Sequence, residues 1–321
     1  MEALEGGGGG LSADVKAALM NIVNHVAWDD DDPNGQTYIT SLYNALYPPA
    51  DLVVANTLVN CSTSNNSASV TRGGAYSATI TPSSGCSLYE ADIVITMGGV
   101  DITNTAYSNG TISIASVTGD LSITVTCYAT IQWEKSKGRV PSSDDGITTT
   151  NTGIENNAMT EAFDSDKGIV ITGTGSNLLR YEVADYQYIK KGTFEIKFTV
   201  DSMNNESNIN LRLTKDGTNG SNMAVMRTAS KGYHIRYTKA ANTSFDMVVN
   251  SFNLNQEYTL KVDFDYNTNG KIMVYLDGTK VYETTTQSSY YANRNAVVVI
   301  GTLKVYVKSF RWVIKEGTLN G

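Results

Sequence analysis

The residues best suited to chemistry lie in one acidic stretch, AWDDDDPNGQTYITSL, at residues 27–42. Read as a calcium-binding loop, the stretch would place Asp30, Asp32 and Asn34 at the first, third and fifth ligand positions. The twelfth position requires a bidentate glutamate, and Ser41 stands there. Read as a turn, the Pro-Asn-Gly sequence bends the chain and the aspartates stay in water. The incomplete motif favours the turn, and we expect no bound metal.

Hydrolytic chemistry on a sugar requires two carboxylates placed on either side of the bond to be cut. One family of β-sandwich glycosidases carries Glu-x-Asp-x-x-Glu on a single strand. The nearest match is Glu90 with Asp92, but Ile95 replaces the third carboxylate. Asp263 and Asp265 share one strand face, where they either help to bind a sugar or cation or remain solvated surface charge. The two histidines are remote from each other in the sequence, so we expect neither an enzyme nor a cofactor.

A binding site is better indicated by QSSYYANRN, which lies in a predicted loop. Tyr290 and Tyr291 would form an aromatic platform for a sugar ring, with Asn293 and Arg294 as hydrogen-bonding neighbours. The competing interpretation is structural, because the chain contains 19 tyrosines. These four residues are the candidate ligand-binding residues.

The elements that would carry such a site begin with a glycine-rich arm over residues 1–10 and a helical segment over residues 11–50. Four apolar residues follow one another at spacings of 4, 3 and 4, the pattern of a coiled-coil seam; they are Val15, Leu19, Ile22 and Val26. Two short helices bury little surface by themselves. We therefore expect this segment to anchor the chain and to form a homotrimer.

Charge and composition exclude several classes of partner. The net charge of the 321 residues is −8, and residues 1–130 hold two cations against twelve carboxylates, or −10. Neither half presents the basic surface that nucleic acid or anionic lipid requires. The first residues have neither the basic nor the apolar region of a secretion signal, and no apolar run is long enough to span a bilayer, so we expect synthesis in the cytoplasm and no membrane insertion.

The three cysteines, Cys61, Cys86 and Cys127, fall in one segment and lack a metal-type spacing such as C-x-x-C. They are either buried thiols or one disulfide with one free thiol. The sequence leaves both readings open.

Between residues 51 and 130 the apolar pattern alternates with a period of two, as in YSATI, GTISI and LSITVTC, and Asn109-Gly110 predicts a hairpin turn. About 80 residues of short strands predict a small sandwich. The sequence MGGVDIT…VTGDLSITVT resembles a bacterial immunoglobulin-like module. This module is frequent in the structural proteins of phages that infect Gram-positive, gut-type hosts. The resemblance implies an immunoglobulin-like domain over residues 51–130.

Residues 131–146 are polar and predict a linker, and residues 147–321 predict a jelly roll with long alternating strands. In GTFEIKFTV the side chains of Phe194, Ile196, Phe198 and Val200 point one way, and turns are predicted at Asn269-Gly270 and Asp277-Gly278. The progression of these strands resembles concanavalin-like and laminin-G-like lectin domains. The predicted fold class is therefore mainly β: a helical anchor, an immunoglobulin-like sandwich and a C-terminal jelly-roll sandwich.

These resemblances imply a phage virion surface protein, either a head fibre or capsid decoration or a tail fibre. Its N-terminus would bind capsid or tail proteins, and its outward domains would bind cell-surface or mucus glycans. The alternative is a bacterial surface adhesin or carbohydrate-binding module. Both alternatives predict adhesion without catalysis.

Overall fold

The structure is a computed structural model that describes Ala17 and residues 51–151, 159–183, 186–214, 220–238, 245–267, 270–285 and 294–319. Most of these residues lie in strands, which confirms the mainly β class. They form two compact units. The described part of the first unit comprises residues 51–58, 62–81 and 93–125, and that of the second begins with residues 59–61, 82–92 and 126 onward. The predicted anchor over residues 11–50, apart from Ala17, lies outside the described residues.

The elements of the N-terminal part are strands and one helical turn, and most of them are short. They are β1 (Leu52–Val59), β2 (Cys61–Thr63), β3 (Ser69–Val70), β4 (Tyr76–Pro82), β5 (Cys86–Met97), β6 (Val100–Asp101), α1 (Thr103–Ala106), β7 (Tyr107–Ser108), β8 (Thr111–Ile114) and β9 (Leu121–Glu134). One sheet of the first unit has the order β2-β4-β8-β7. Elsewhere in this unit, β1 pairs antiparallel with β3.

The local predictions for the first unit hold. The strands YSATI, GTISI and LSITVTC are β4, β8 and the start of β9, and their burial alternates as predicted. Asn109 and Gly110 both have positive φ, at 46° and 85°, and link Ser108 to its antiparallel partner Thr111. This is the conformation of a two-residue hairpin turn, for which Asn-Gly is favoured. The immunoglobulin-like assignment itself stays a prediction.

The second unit contains longer strands. They are β10 (Ile147–Asn151), β11 (Met159–Asp164), β12 (Gly168–Gly173), β13 (Leu178–Val183), β14 (Tyr186–Met203), β15 (Asn208–Thr214), β16 (Gly220–Thr228), β17 (Gly232–Thr238), β18 (Phe245–Val249), β19 (Glu257–Asp265), β20 (Lys271–Leu276), β21 (Thr279–Thr285), β22 (Arg294–Ile300) and β23 (Leu303–Leu319). Two 3₁₀ turns, Lys135–Lys137 and Ser143–Asp145, precede β10.

These strands form two antiparallel sheets. In the first, here named the β23 sheet, the order is β21-β20-β19-β14-β23, and the other edge of β23 pairs with β12 and with the end of β9. The second, here named the β15 sheet, has seven strands in the order β10-β13-β22-β15-β16-β17-β18. Strand β22 therefore lies between β13 and β15, although it begins 80 positions after the end of β15 and still further from β13 in the chain.

One hydrophobic core joins the two sheets. Phe194, Ile196, Phe198 and Val200 of β14 are 1–2% exposed, which confirms the predicted face, and they share a cluster with inward residues of the β15 sheet such as Leu211. Alternation along each strand buries every second side chain and leaves the others on the outer faces. The predicted C-terminal sandwich of two sheets is confirmed, and the outer faces are where polar residues gather.

Two segments fall elsewhere than the sequence pattern suggested. Residues 131–146, predicted as a linker, begin with the end of β9, where Ile131 and Trp133 are buried in the core of the second unit. The indole Nε1 of Trp133 donates to the carbonyl of Arg139 at 2.9 Å, so the following residues also pack. Residues 82–92, predicted within the immunoglobulin-like domain, belong to the second unit.

Candidate functional site

The outer face of the β15 sheet is polar at its centre. Alternation on β15 sends Ile209 and Leu211 into the core and leaves Asn208, Asn210 and Arg212 on the outer face. The same rule selects one face of each neighbouring strand. The outer face of this sheet is the feature of the second unit that requires a functional explanation.

Strand register aligns these residues in two rows. The first row is Arg180, Val298, Asn210, Ala224 and Arg236. The second row is Glu182, Ala296, Arg212, Asn222 and Thr238. These ten residues are named the polar face. Short apolar side chains, which are buried, lie in it among longer polar ones.

Several hydrogen-bonding groups of the polar face and its border have no protein partner. Asn210 Nδ2 donates to Asn208 Oδ1 at 2.8 Å, which fixes the orientation of the amide. Among the described residues, the buried atoms Asn210 Oδ1, Thr228 Oγ1 and Thr238 Oγ1 find no hydrogen-bond partner. A buried polar atom without a partner costs about 1–3 kcal/mol, so native proteins pair nearly all of them. Their presence on one face points to a ligand or to bound water.

The charges of the polar face are unbalanced. Arg180 Nη1 lies 3.8 Å from Glu182 Oε2, a long ion pair between side chains that are 24% and 20% exposed. Burial lowers the pKa of Arg212, and the positive charge of Arg180 lowers it further. His234 borders these rows on β17 and is 1% exposed, and its Nδ1 donates to the carbonyl of Gly232 at 2.9 Å.

A second charged region lies on the outer face of the β23 sheet. It contains a cleft of about 320 Å³ whose lining includes Glu90, Lys191, Thr193, Asp263 and Asp265. The charges of this cleft are paired with one another: Lys191 Nζ lies 3.3 Å from Asp265 Oδ2. Thr193 Oγ1 donates to Asp263 Oδ1 at 2.8 Å. The aspartates of β19 are therefore held by protein partners.

The residues around Glu90 attach segment 82–92 to this sheet. Glu90 pairs with Lys261, and Lys261 also lies 3.5 Å from Asp263. Burial raises the pKa of Asp263, while the hydroxyl of Thr193 and the charge of Lys261 oppose that shift. Tyr89 donates to Glu195 at 2.7 Å. The charged residues of this cleft therefore serve to attach segment 82–92 to the sheet. The polar face is the stronger candidate for a binding site.

The candidates chosen from the sequence are only partly described. Tyr290, Tyr291 and Asn293 lie outside the described residues, and Arg294 opens β22, where its backbone pairs with Thr214. The predicted oligomerisation residues Val15, Leu19, Ile22 and Val26 also lie outside the described residues, as does the acidic loop at residues 27–42.

Sequence reasoning missed Arg180, Asn210 and Arg212. The alternation in NINLRL could have placed Asn210 and Arg212 on an outer face. No local signal could have shown that β22 brings Arg180 beside them.

The three cysteines are thiols rather than members of a disulfide, and all three belong to the second unit. Cys127 is fully buried, whereas Cys61 and Cys86 are half-buried. Burial, followed by the neighbouring Cys61, raises the pKa of Cys127 to about 12. In the part of the chain that the structure describes, no three histidine, cysteine or acidic residues form a metal-binding group. Within the same residues, no helix is long and apolar enough to cross a membrane.

Comparisons with known proteins give fold-level likenesses only. No family model matches the sequence, and no curated protein matches it. The chain is similar to the carbohydrate recognition domain of Emp47p, at 10% identity over 58% of this chain and 94% of that one, with a TM-score of 0.41. It is also similar to a carbohydrate esterase of the Shiga toxin-encoding bacteriophage phi24B, at 17% identity over 58% and 97% of the two chains, with a TM-score of 0.40.

A third similar structure is the carbohydrate-binding module CBM66 from Bacillus subtilis, at 18% identity over 51% of this chain and 94% of that one, with a TM-score of 0.35. At these values the likenesses assign neither a ligand nor an activity. The class that the fold itself defines is a mainly β protein of two units, the second of which is a sandwich of two antiparallel sheets.

Proposed function

We propose that this chain is a phage virion surface protein, a head fibre or decoration or else a tail fibre, whose second unit binds glycans on the polar face. The observation that carries the binding proposal is the set of buried oxygens without partners, Asn210 Oδ1 and Thr238 Oγ1 foremost. They lie among amide and guanidinium groups on one sheet face.

A sugar fits this chemistry because each hydroxyl group both donates and accepts hydrogen bonds. Asn210 Oδ1 accepts from a hydroxyl, and the Thr238 hydroxyl donates or accepts as the ligand requires. A single site of this kind has a Kd in the millimolar to micromolar range, about −4 to −8 kcal/mol. The homotrimer that we expect, repeated over a particle, would raise the effective affinity through multivalency.

The virion location is supported by the sequence of residues 51–130, which resembles modules frequent in phage structural proteins. The bacterial adhesin or carbohydrate-binding module is the alternative, and it would use the same polar face. Mass spectrometry of purified phage particles separates the two, because the virion proposal requires this chain to co-purify with capsid or tail proteins. Its absence from particles, together with its presence on bacterial cells, would favour the alternative.

The binding proposal is tested with the full chain on a glycan array, followed by titration of the glycans that bind. Asn210→Ala and Thr238→Val should each weaken binding about tenfold, since each removes a polar atom that only the ligand satisfies. The matched control is Asn253→Ala, because Asn253 is exposed and its amide donates to Gln256 at 3.1 Å away from the polar face. Unchanged affinity in both polar-face variants would contradict the location of the site.

The predicted loop that contains Tyr290 and Tyr291 provides a second arm of the same experiment. If these tyrosines extend the binding surface as the sequence predicts, the double change to alanine weakens glycan binding and leaves the melting temperature unchanged. A lowered melting temperature would identify them as structural residues. We further propose that the protein has no hydrolytic activity, and release of reducing ends from a bound polysaccharide would overturn that part.

A further inference from the structure

The charge of the polar face indicates which glycans it selects. Among its described residues, three guanidinium groups, those of Arg180, Arg212 and Arg236, stand against one carboxylate, that of Glu182. Arginine remains protonated at all physiological pH values, so this excess of positive charge is permanent. It contrasts with the net charge of −8 for the whole chain.

Arg180 and Arg212 are near enough for the charge of one to act on the other. They lie on the two strands that flank β22, opposite Val298 and Ala296 respectively. Adjacent strands are about 4.8 Å apart, so the two backbones are separated by about 10 Å, a distance that two long side chains close easily. The positive charge of Arg180 lowers the pKa of Arg212 in addition to the effect of burial, which shows that the two guanidinium groups repel each other.

One carboxylate of the polar face lies near this pair: Glu182 Oε2 is 3.8 Å from Arg180 Nη1, a long ion pair. No carboxylate of the described residues lies within 4.0 Å of Arg212. A half-buried guanidinium beside a second one is unfavourable unless an anion joins them. The residues between them on β22, Val298 and Ala296, are short, apolar and buried, so neither can neutralise the two charges.

We propose that the polar face binds acidic oligosaccharides, and that Arg180 and Arg212 together hold a carboxylate or phosphate group of the sugar. The planar guanidinium fork matches both groups with two parallel hydrogen bonds. Asn210 and Thr238 then receive the neighbouring hydroxyl groups. This inference rests on the proposed glycan-binding function and adds the class of ligand to it.

The experiment compares matched ligands by titration of the full chain at one fixed ionic strength. The probes are an oligogalacturonate, the same oligosaccharide with its carboxylates reduced to alcohols, and a glycerol phosphate oligomer. The acidic ligand should bind at least tenfold more tightly than its reduced form, and Arg212→Gln should abolish that difference. Arg212→Lys keeps the charge without the fork, so it should retain part of the preference. Comparison of the two acidic probes identifies carboxylate or phosphate as the preferred anion.

The control variant is Arg311→Gln on the outer face of the β23 sheet, where the guanidinium donates to Gln132 and Glu134 instead of facing the polar face. It should leave the preference unchanged. Equal affinity for the acidic and reduced oligosaccharides would overturn this inference while the proposed glycan binding stands. Failure of every glycan to bind would overturn both.

Discussion

Glu90 and Lys261 form an ion pair across 171 residues of sequence, and the glutamate adopts a left-handed backbone conformation, with φ of 58°, to do so. Lys315 approaches the same carboxylate at 3.8 Å. A positive φ is unfavourable for a residue with a Cβ, so the contacts of the side chain must compensate. This pair fastens segment 82–92 to the outer face of the β23 sheet.

Neutralising Glu90 should therefore destabilise the second unit. In Glu90→Gln the side chain keeps its shape, but Lys261 and Lys315 each lose one of their two carboxylate partners, and we expect the free energy of unfolding to fall by about 1–3 kcal/mol. A double-mutant cycle with Lys261→Gln, measured by urea denaturation, should give a coupling energy of about 1 kcal/mol. Additive effects of the two changes would mean that the pair contributes nothing to stability.

Asp145 should make the free energy of unfolding depend on pH. Its side chain has no exposed surface, and it accepts from Arg139 Nη1 at 2.6 Å and from the backbone of Ser142 at 3.0 Å. Burial tends to raise the pKa of this carboxyl, but the bond from Arg139, supported by Ser142, outweighs it and holds the pKa below its usual 3.8. Because the pKa of Asp145 is lower in the folded than in the unfolded protein, its ionised carboxylate stabilises the fold at pH values above the pKa of the unfolded state. This stabilisation is lost as the pH falls through the pKa of the folded state.

Asp145→Asn tests this dependence. The wild type should be more stable than the variant at neutral pH by about 1–3 kcal/mol, and the difference should shrink as the pH falls below about 4. Unfolding curves at several pH values measure it. The exposed neighbour in Asp144→Asn serves as the control and should show a small effect at every pH. A difference that stays constant down to about pH 2 would contradict the assignment.

The thiols should differ in reactivity. Cys127 is buried and its pKa is raised to about 12, first by burial, so almost none of it is thiolate at neutral pH. Cys61 and Cys86 are half-buried and should react with iodoacetamide first, although burial also raises the pKa of Cys86. Mass spectrometry of the alkylated peptides gives the order, and all three should react in urea. Early labelling of Cys127 in the folded protein would show that its strand opens.

The N-terminal seam should control assembly. Leu19→Asp with Ile22→Asp places charges into the apolar stripe predicted from the sequence, where they cannot be solvated. We expect analytical ultracentrifugation to show a trimer for the wild type and a monomer with intact β units for the double variant. A substitution off the predicted stripe in the same segment, such as Lys16→Asp, provides a comparison. A monomeric wild type at micromolar concentration would refute trimerisation of the free protein.

Local pattern alone determined much of this fold. The alternation of GTFEIKFTV predicted the buried face of Phe194 and Phe198, and Asp277-Gly278 predicted the turn between β20 and β21, where both residues have positive φ. These features depend on period and on turn chemistry over a few residues, so the sequence carries them directly.

The candidate site depends on strand order, which the local pattern does not contain. The alternation along β15 predicts that Asn210 and Arg212 lie on the outer face. Only the tertiary structure places β22 between β13 and β15 and so brings Arg180 near Arg212. Glu90 and Asp263 likewise appeared in separate domains until segment 82–92 was found on the β23 sheet. Alternation specifies which face a residue takes, whereas the neighbours on that face are chosen by long-range pairing and by the burial of one shared core.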